Sequence, residues 1–403
     1  MGRGRGPRRR SLAALIGALS CVVATVALPK GTAAASADNP QIRQAMAIAR
    51  PAVVFLYVQI QGSLLDHRDN QVHGPYISSS KGSGFFVNPD GDIATATHVV
   101  SPTATDVKTA LVDRYIIAVT GNQLPSNNPS FQGYMQSTDV QNVSFDVRVI
   151  TQAMHIPGNA TNDDLERLGL PATIVASSPV DATDVSVIHV NRSAQPSLLL
   201  RSGVPPKNNE SLALMGYPQM APTFSVVPDV DYGLLTDVQS TASINAPGVA
   251  DLPRAATVFV TSAYSEHGDS GGPGIDTQAR AVGLVSFGAL SGTPIFLVSA
   301  DNIAAVLAQG HVANVLGDAD QKWRAGAAAQ QRGDVSAALA DYRACAAASP
   351  DNTGCAHGIA QLTSTKGSGG PPLALIIGGA AALLVIVALT AVLFLRRPES
   401  ELD

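Results

Sequence analysis

Between about residues 40 and 305 the chain returns again and again to short runs of β-branched and apolar residues, each stopped by Gly, Pro, Asn or Asp. The segments 52–59, 84–87, 92–97, 184–190, 257–261 and 281–287 are of this kind. Runs of ~4–8 residues bounded by turn formers fold as strands. Asn88-Pro89-Asp90-Gly91 lies between two of them and reads as a hairpin turn, its proline presetting φ and its glycine accepting positive φ. Helical periodicity is largely missing, so the region is expected to be mainly β, a sandwich or barrels. Some 260 residues are too many for one small barrel and suit two.

The two ends carry a different composition. Apolar residues make up 45% of the chain and charged residues only 14%, against a usual charged share of about 25%. The surplus is concentrated at the termini. Residues 1–37 read as a signal peptide: Arg3, Arg5 and Arg8 to Arg10, then an apolar run over 12–28, then Ala33-Ala34-Ala35 or Ala35-Ser36-Ala37 as small-residue cleavage sites. Residues 373–395 form a run of 23 without one charge. As a helix rising ~1.5 Å per residue it crosses the ~30 Å hydrocarbon layer. Arg396-Arg397 follow it, so a tail at 396–403 is expected in the cytoplasm and all that precedes residue 372 outside. A Gly/Pro-rich linker, 363–372, leads into the span.

After Asp318 the chain turns alanine-rich and helical. Two helices, 318–332 and 334–349, are parted at Gly333 and stopped by Pro350-Asp351, with a partial third through Leu362. Gly326, Ala338, Tyr342 and Pro350 fall where a tetratricopeptide helix pair carries glycine, alanine, an aromatic and proline. One such unit cannot bury its face alone, so 318–362 is expected to pack on the β domain or on a protein partner. Cys345 and Cys355, ten apart in an exported segment, either bridge the second and third helices or stay as two buried thiols.

Partners and cofactors are bounded by what the chain lacks. Net charge is −5 and no basic block lies beyond the extreme N-terminus, so nucleic acid is not an expected partner. Three unequally spaced cysteines form no CxxC and no zinc pattern, and no cofactor or metal is expected.

The chemistry-bearing residues lie in the β-rich region. Gly268-Asp269-Ser270-Gly271-Gly272-Pro273 follows one strand and precedes another. A serine hydroxyl needs a positioned base to act as nucleophile. A developing oxyanion needs backbone N–H groups aimed at one point, in backbone shapes that glycine tolerates. Thr95-Ala96-Thr97-His98-Val99-Val100 ends a strand and offers His98 as that base; His267 reads as a rim residue. Asp184 heads an alternating strand, projecting from its end while Val185 and Val187 pack inward, and is the expected orienting acid, with Asp181 as its rival. The order His–Asp–Ser differs from that of subtilisin and the α/β-hydrolases.

In this combination the chain resembles the chymotrypsin-fold serine proteases, especially their bacterial Deg-type (high-temperature-requirement) branch. Gly82-Ser83-Gly84-Phe85, Thr95 to Val100, Asp184 to Val190, Gly216-Tyr217-Pro218 and Gly268 to Pro273 match it in order, over about residues 45–305. The resemblance implies a double six-stranded β-barrel spanning roughly 40–310, with a cleft site and a polypeptide substrate. It implies His98, Asp184 and Ser270 as the triad and the N–H groups of Gly268 and Ser270 as the oxyanion hole. It places Ser286-Phe287-Gly288 where the family pairs with substrate backbone, and Tyr264 at the floor of the specificity pocket, against a basic preference.

There are departures. The stretch 120–172, full of Asn, Gln, Pro and Gly, reads as an inserted excursion able to cover the cleft or bind a partner. The helices after the β domain are not PDZ-like, which argues against peptide-triggered activation. The expected protein is a membrane-anchored extracytoplasmic serine endopeptidase. The alternative is a catalytically silent protease fold serving as a tethered binding module.

Overall fold

The computed structural model describes residues 39–219, 224–241, 255–288 and 294–364. The expected signal at 1–37, the apolar run 373–395, the tail 396–403 and most of the linker 363–372 lie outside these residues. Among those described, no helix is long and apolar enough to cross a membrane.

The chain enters through α1 (Pro40–Ala49), capped by the Asn39 side chain, which accepts from Gln41 N–H at 2.9 Å. Two long strands follow, β1 (Val53–Asp66) and β2 (Gln71–Phe86), then β3 (Asp92–Ala96) and the single turn α2 (Thr97–Val100). Helices α3 (Ala104–Thr120) and α4 (Pro129–Ser137) precede β4 (Thr138–Ile150), and α5 (Asn162–Leu168) precedes β5 (Leu170–Ser177) and β6 (Val185–Val190). The six strands close into a barrel in the order β1-β2-β3-β6-β5-β4.

The second barrel uses β7 (Leu199–Leu200), β8 (Ser211–Gly216), β9 (Asp229–Ser240), β10 (Thr257–Thr261), β11 (Pro273–Ile275), β12 (Arg280–Gly288) and β13 (Ile295–Ser299). Their order is β11-β8-β9-β10-β13-β12-β7, and the pairing of β11 with β12 closes six of them, leaving β7 as a short parallel edge. Inward residues of both barrels, among them Val54, Phe86, Ile188, Leu284 and Val298, share one apolar cluster. The expectation of two six-stranded barrels is met.

Helical periodicity is richer than the sequence reading allowed. In α3, Val107, Leu111, Val112, Tyr115 and Ile116 form one buried stripe, packed on Ile60, Leu64 and Phe131. Its start is marked by a capping box in which Thr103 and Asp106 satisfy each other's backbone N–H groups. The stretch 120–172 is not one excursion either. Strand β4 lies inside it as a barrel strand paired with β1 and β5, so the added material falls on both sides of β4.

After β13 come α6 (Ala300–Gln309), α7 (Asp318–Gln331), α8 (Val335–Ala348) and α9 (Thr353–Ser364). These helices pack on the β domain. Trp323 Nε1 donates to the carbonyl of Ile48 in α1 at 3.1 Å. The buried Asp320 carboxylate accepts from Ser197 Oγ at 2.6 Å and Ser197 N–H at 3.1 Å, and burial raises its pKa. Cys345 and Cys355 are joined by a disulfide, their Cα atoms 6.0 Å apart, which links α8 to α9.

Candidate active site

The end of β3 and the start of β6 meet at the rim of the first barrel, and that meeting places an acid beside a base. Ala96 pairs with Val185. His98 therefore follows on α2 where Asp184 precedes β6. Asp184 Oδ2 lies 2.8 Å from His98 Nδ1, and Oδ1 accepts from the His98 backbone N–H at 2.9 Å. Asp184 is 1% exposed and sits at φ +54°, a left-handed conformation in which Asp and Asn are the best tolerated non-glycine residues. Asp181, by contrast, is exposed in the preceding turn. Burial pulls the His98 pKa down, but the charge and hydrogen bond of Asp184 outweigh it, leaving His98 above the ordinary histidine value.

Ser270 comes from the second barrel, and Ser83 of β2 fastens its loop to the first. The Ser83 N–H donates to the Ser270 carbonyl at 2.8 Å and its Oγ donates to the Gly268 carbonyl at 2.7 Å. The same Oγ accepts from Tyr217 N–H at 3.0 Å, and the Ser83 carbonyl accepts from Thr95 Oγ1 at 2.7 Å. Gly271, at φ +84°, lies so close to the Ser83 carbonyl and the Thr95 hydroxyl that a Cβ there would collide with both. The loop thus presses against the end of β3, just before the turn α2 that carries His98.

Gly268 adopts φ +106°. The N–H groups of Asp269, Gly271 and Gly272 are used by the carbonyls of Glu266, Val285 and Asp269. The N–H groups of Gly268 and Ser270, the pair expected to hold an oxyanion, are not among these. Asp269 is 6% exposed; its Oδ2 accepts from Glu266 N–H at 2.8 Å, while its Oδ1 has no hydrogen-bond partner. Burial pushes its pKa up to about 6. His267 is exposed, and its carbonyl accepts from Gln219 N–H at 2.6 Å.

Strand β12 carries the remaining expected residues. Phe287 stacks on Phe296 with centroids 4.6 Å apart, and Gly288 pairs with Ile295 at the strand's end. Ser286, read from the sequence as part of a backbone-pairing segment, also uses its side chain: its Oγ donates to Asp184 Oδ2. Tyr264 is 47% exposed and its hydroxyl donates to Glu266 at 2.9 Å. The reading of the sequence missed Ser83 as an anchor and Ser286 as a donor to Asp184. The quoted Gly-Ser-Gly-Phe and Ser-Phe-Gly segments contain both, but no local pattern marks their long-range bonds.

A buried carboxylate engages the imidazole of His98, and the loop that carries Ser270 packs on Ser83 and on the end of β3, two residues before His98. A family model described as a trypsin-like peptidase domain matches residues 82–284. Among solved structures, a serine endoprotease from Yersinia pestis is 17% identical, with 67% of this chain and 66% of that chain covered and a TM-score of 0.39. The active form of the Rv3671c protease from M. tuberculosis is 20% identical, with coverages of 69% and 90% and a TM-score of 0.40. An HtrA-type protease with a tripeptide is 17% identical, with coverages of 67% and 63% and a TM-score of 0.41. No curated protein matches the chain.

Proposed function

Because this chain belongs to the trypsin-like peptidase family, we propose that it is a serine endopeptidase whose catalytic triad is Ser270, His98 and Asp184. Ser270 Oγ attacks the scissile carbonyl while His98 Nε2 takes its proton. The amine leaves with that proton, and water then hydrolyses the acyl-enzyme by the reverse relay. Asp184 fixes the tautomer by engaging Nδ1, which leaves Nε2 as the base, and stabilises the imidazolium as it forms. The N–H groups of Gly268 and Ser270 take the oxyanion. Ser286-Phe287-Gly288 pairs with substrate backbone, and Tyr264 lies at the specificity pocket.

The observation that carries this reading is the Asp184–His98 pair, buried on the acid side and clamped by two hydrogen bonds. Labelling with a serine-directed fluorophosphonate tests it. The native chain should label and cleave peptides, and Ser270→Ala should do neither while remaining folded. Labelling that persists in Ser270→Ala would remove Ser270 from the mechanism.

The setting belongs to the same proposal: export through residues 1–37 and anchoring by 373–395, with the catalytic domain outside the cytoplasm. What supports it is the charge-free run and the arginines flanking it. The helical segment is read as tetratricopeptide-like. Supporting that, the Tyr342 ring fills the space where Gly326 has no side chain, and Ala338 is fully buried.

A further inference from the structure

We propose that a chain of hydroxyls, Ser177 to Ser186 to Thr97, holds His98 in register with Asp184, with Thr97 and Ser186 as positioning residues for the proton transfer. This rests on the reading of His98 and Asp184 as members of the triad. The β3–β6 ladder ends at the Ala96–Val185 pair. Beyond it the base and the acid stand on two short pieces of chain. His98 lies on the single turn α2, whose N-cap residue, Ala96, makes no side-chain cap. Asp184 ends the turn 179–184, in which the N–H groups of Ala182, Thr183 and Asp184 all converge on the Pro179 carbonyl. One helical turn closes few bonds of its own, so the orientation of α2 has to come from its neighbours.

The hydroxyl chain supplies that orientation. Thr97 Oγ1 donates to the Ser178 carbonyl at 2.7 Å. It also lies 2.8 Å from Ser186 Oγ, which lies 2.8 Å from Ser177 Oγ. Each hydroxyl carries one proton. With the Thr97 proton directed at Ser178, Ser186 must donate to Thr97 and Ser177 to Ser186. The chain therefore runs one way, from the end of β5 through β6 to α2. Ser178 N–H donates to the Val185 carbonyl at 2.8 Å, which closes the ring of bonds around the Asp184 turn.

Both positioning residues sit next to the pair they serve. Thr97 precedes His98 by one residue, and Ser186 follows Asp184 by two. Thr97 is 3% exposed and Ser186 is fully buried, so losing either hydroxyl leaves a partner unmatched away from water. Hydrogen bonds fix distance and direction together, which a proton relay needs and apolar contact does not give. The charged groups that face His98 are Asp184 and, from α3, Asp106, and both favour the imidazolium.

The test uses the full chain and a peptide substrate, with thermal melts to show that each variant is folded at the assay temperature. Thr97→Val keeps the shape and removes the hydroxyl. It should lower kcat about tenfold or more, because a small misplacement of a catalytic group is costly. KM should stay within about twofold, since substrate binding is untouched. A looser Asp184–His98 contact stabilises the imidazolium less, so the acid limb should move down in pH. Thr97→Ser keeps the hydroxyl and should restore both properties. In an Asp184→Asn background the Thr97→Val change should alter kcat by less than about twofold, because the carboxylate it positions is gone. Ser186→Ala breaks the chain from β6 and should behave in the same way, which keeps the test open if valine at 97 disturbs folding. An equal loss in both backgrounds would make the hydroxyls general supports of the fold and overturn the proposal. So would an unchanged kcat, or a Thr97→Ser variant as impaired as Thr97→Val. Native activity in Asp184→Asn alone would instead defeat the triad reading beneath it.

Discussion

Ser286 Oγ lies 2.5 Å from Asp184 Oδ2, the carboxylate oxygen that also faces His98 Nδ1 at 2.8 Å. With Oδ1 taken by the His98 N–H, the buried anion is held by donors on every side. As the proposed base, His98 acts only when unprotonated, and its raised pKa should place the acid limb of kcat/KM above the ordinary histidine value. Ser286→Ala removes one charge-assisted bond, of about 1.5–3 kcal/mol, and should lower kcat/KM about tenfold. A less satisfied carboxylate attracts the imidazolium more strongly, so the acid limb should move further up in pH. Asp184→Asn is tolerated at φ +54° and keeps an acceptor for the His98 N–H, but it offers N–H to Nδ1 and selects the wrong tautomer. The expected loss is about 10⁴-fold in kcat. Rate profiles of both variants check this; an unmoved acid limb in Ser286→Ala would contradict it.

Ser83 is fully buried and its hydroxyl joins β2 to the Gly268 and Tyr217 backbones. Ser83→Ala leaves a carbonyl and an N–H without that partner while keeping the backbone bond to Ser270. Stability should fall by about 1–3 kcal/mol. Looser support of the Gly268 peptide should lower kcat about tenfold with KM little changed, because the oxyanion is bound only in the transition state. Steady-state kinetics beside denaturant melts separate the two effects. A rise in KM at constant kcat would place Ser83 in substrate binding instead.

These two residues show where sequence reasoning stops. The Gly268–Pro273 loop and the segment that carries His98 stand out in the sequence because each is a compact pattern of six consecutive residues. Asp184 is legible because an acid at the head of an alternating strand has one exit, the barrel rim. The partner of Ser286 is 102 residues away and the carbonyl reached by Ser83 is 185 away. Both depend on how strands close into barrels, which no local pattern records. Helix α3 is a different case. Its stripe and its Thr103–Asp106 cap are local signals, overshadowed by the polar stretch that follows.

Asp269 supplies a prediction of opposite sign to the usual carboxylate. Burial raises its pKa to about 6 from 3.8, so between those values the folded chain keeps a proton that the unfolded chain has released. Its contribution to stability is therefore greatest in acid and is lost as pH rises through about 6. Asp269→Asn cannot ionise. The difference in melting temperature between the native chain and this variant should shift toward the variant from pH 4 to pH 7. A difference constant across that range would show that Asp269 is already ionised at pH 4.

The membrane assignment is the part most open to a direct cut. A chain ending at Lys366 keeps both barrels and the helices docked on them by Trp323 and Asp320, since these lie before that point. The barrels bury their own cores, so the shortened chain should fold without lipid. What it loses is the run 373–395, the proposed attachment to the membrane, whose charge-free length matches the hydrocarbon layer. The shortened chain should therefore be released from cells as a soluble protein that labels with fluorophosphonate. On intact cells, protease added outside should digest the native catalytic domain and spare a fragment carrying Glu399. Retention of the shortened chain in the membrane fraction would identify residues 12–28 as an uncleaved anchor. Release in an unlabelled state would mean that the membrane span takes part in forming the active site.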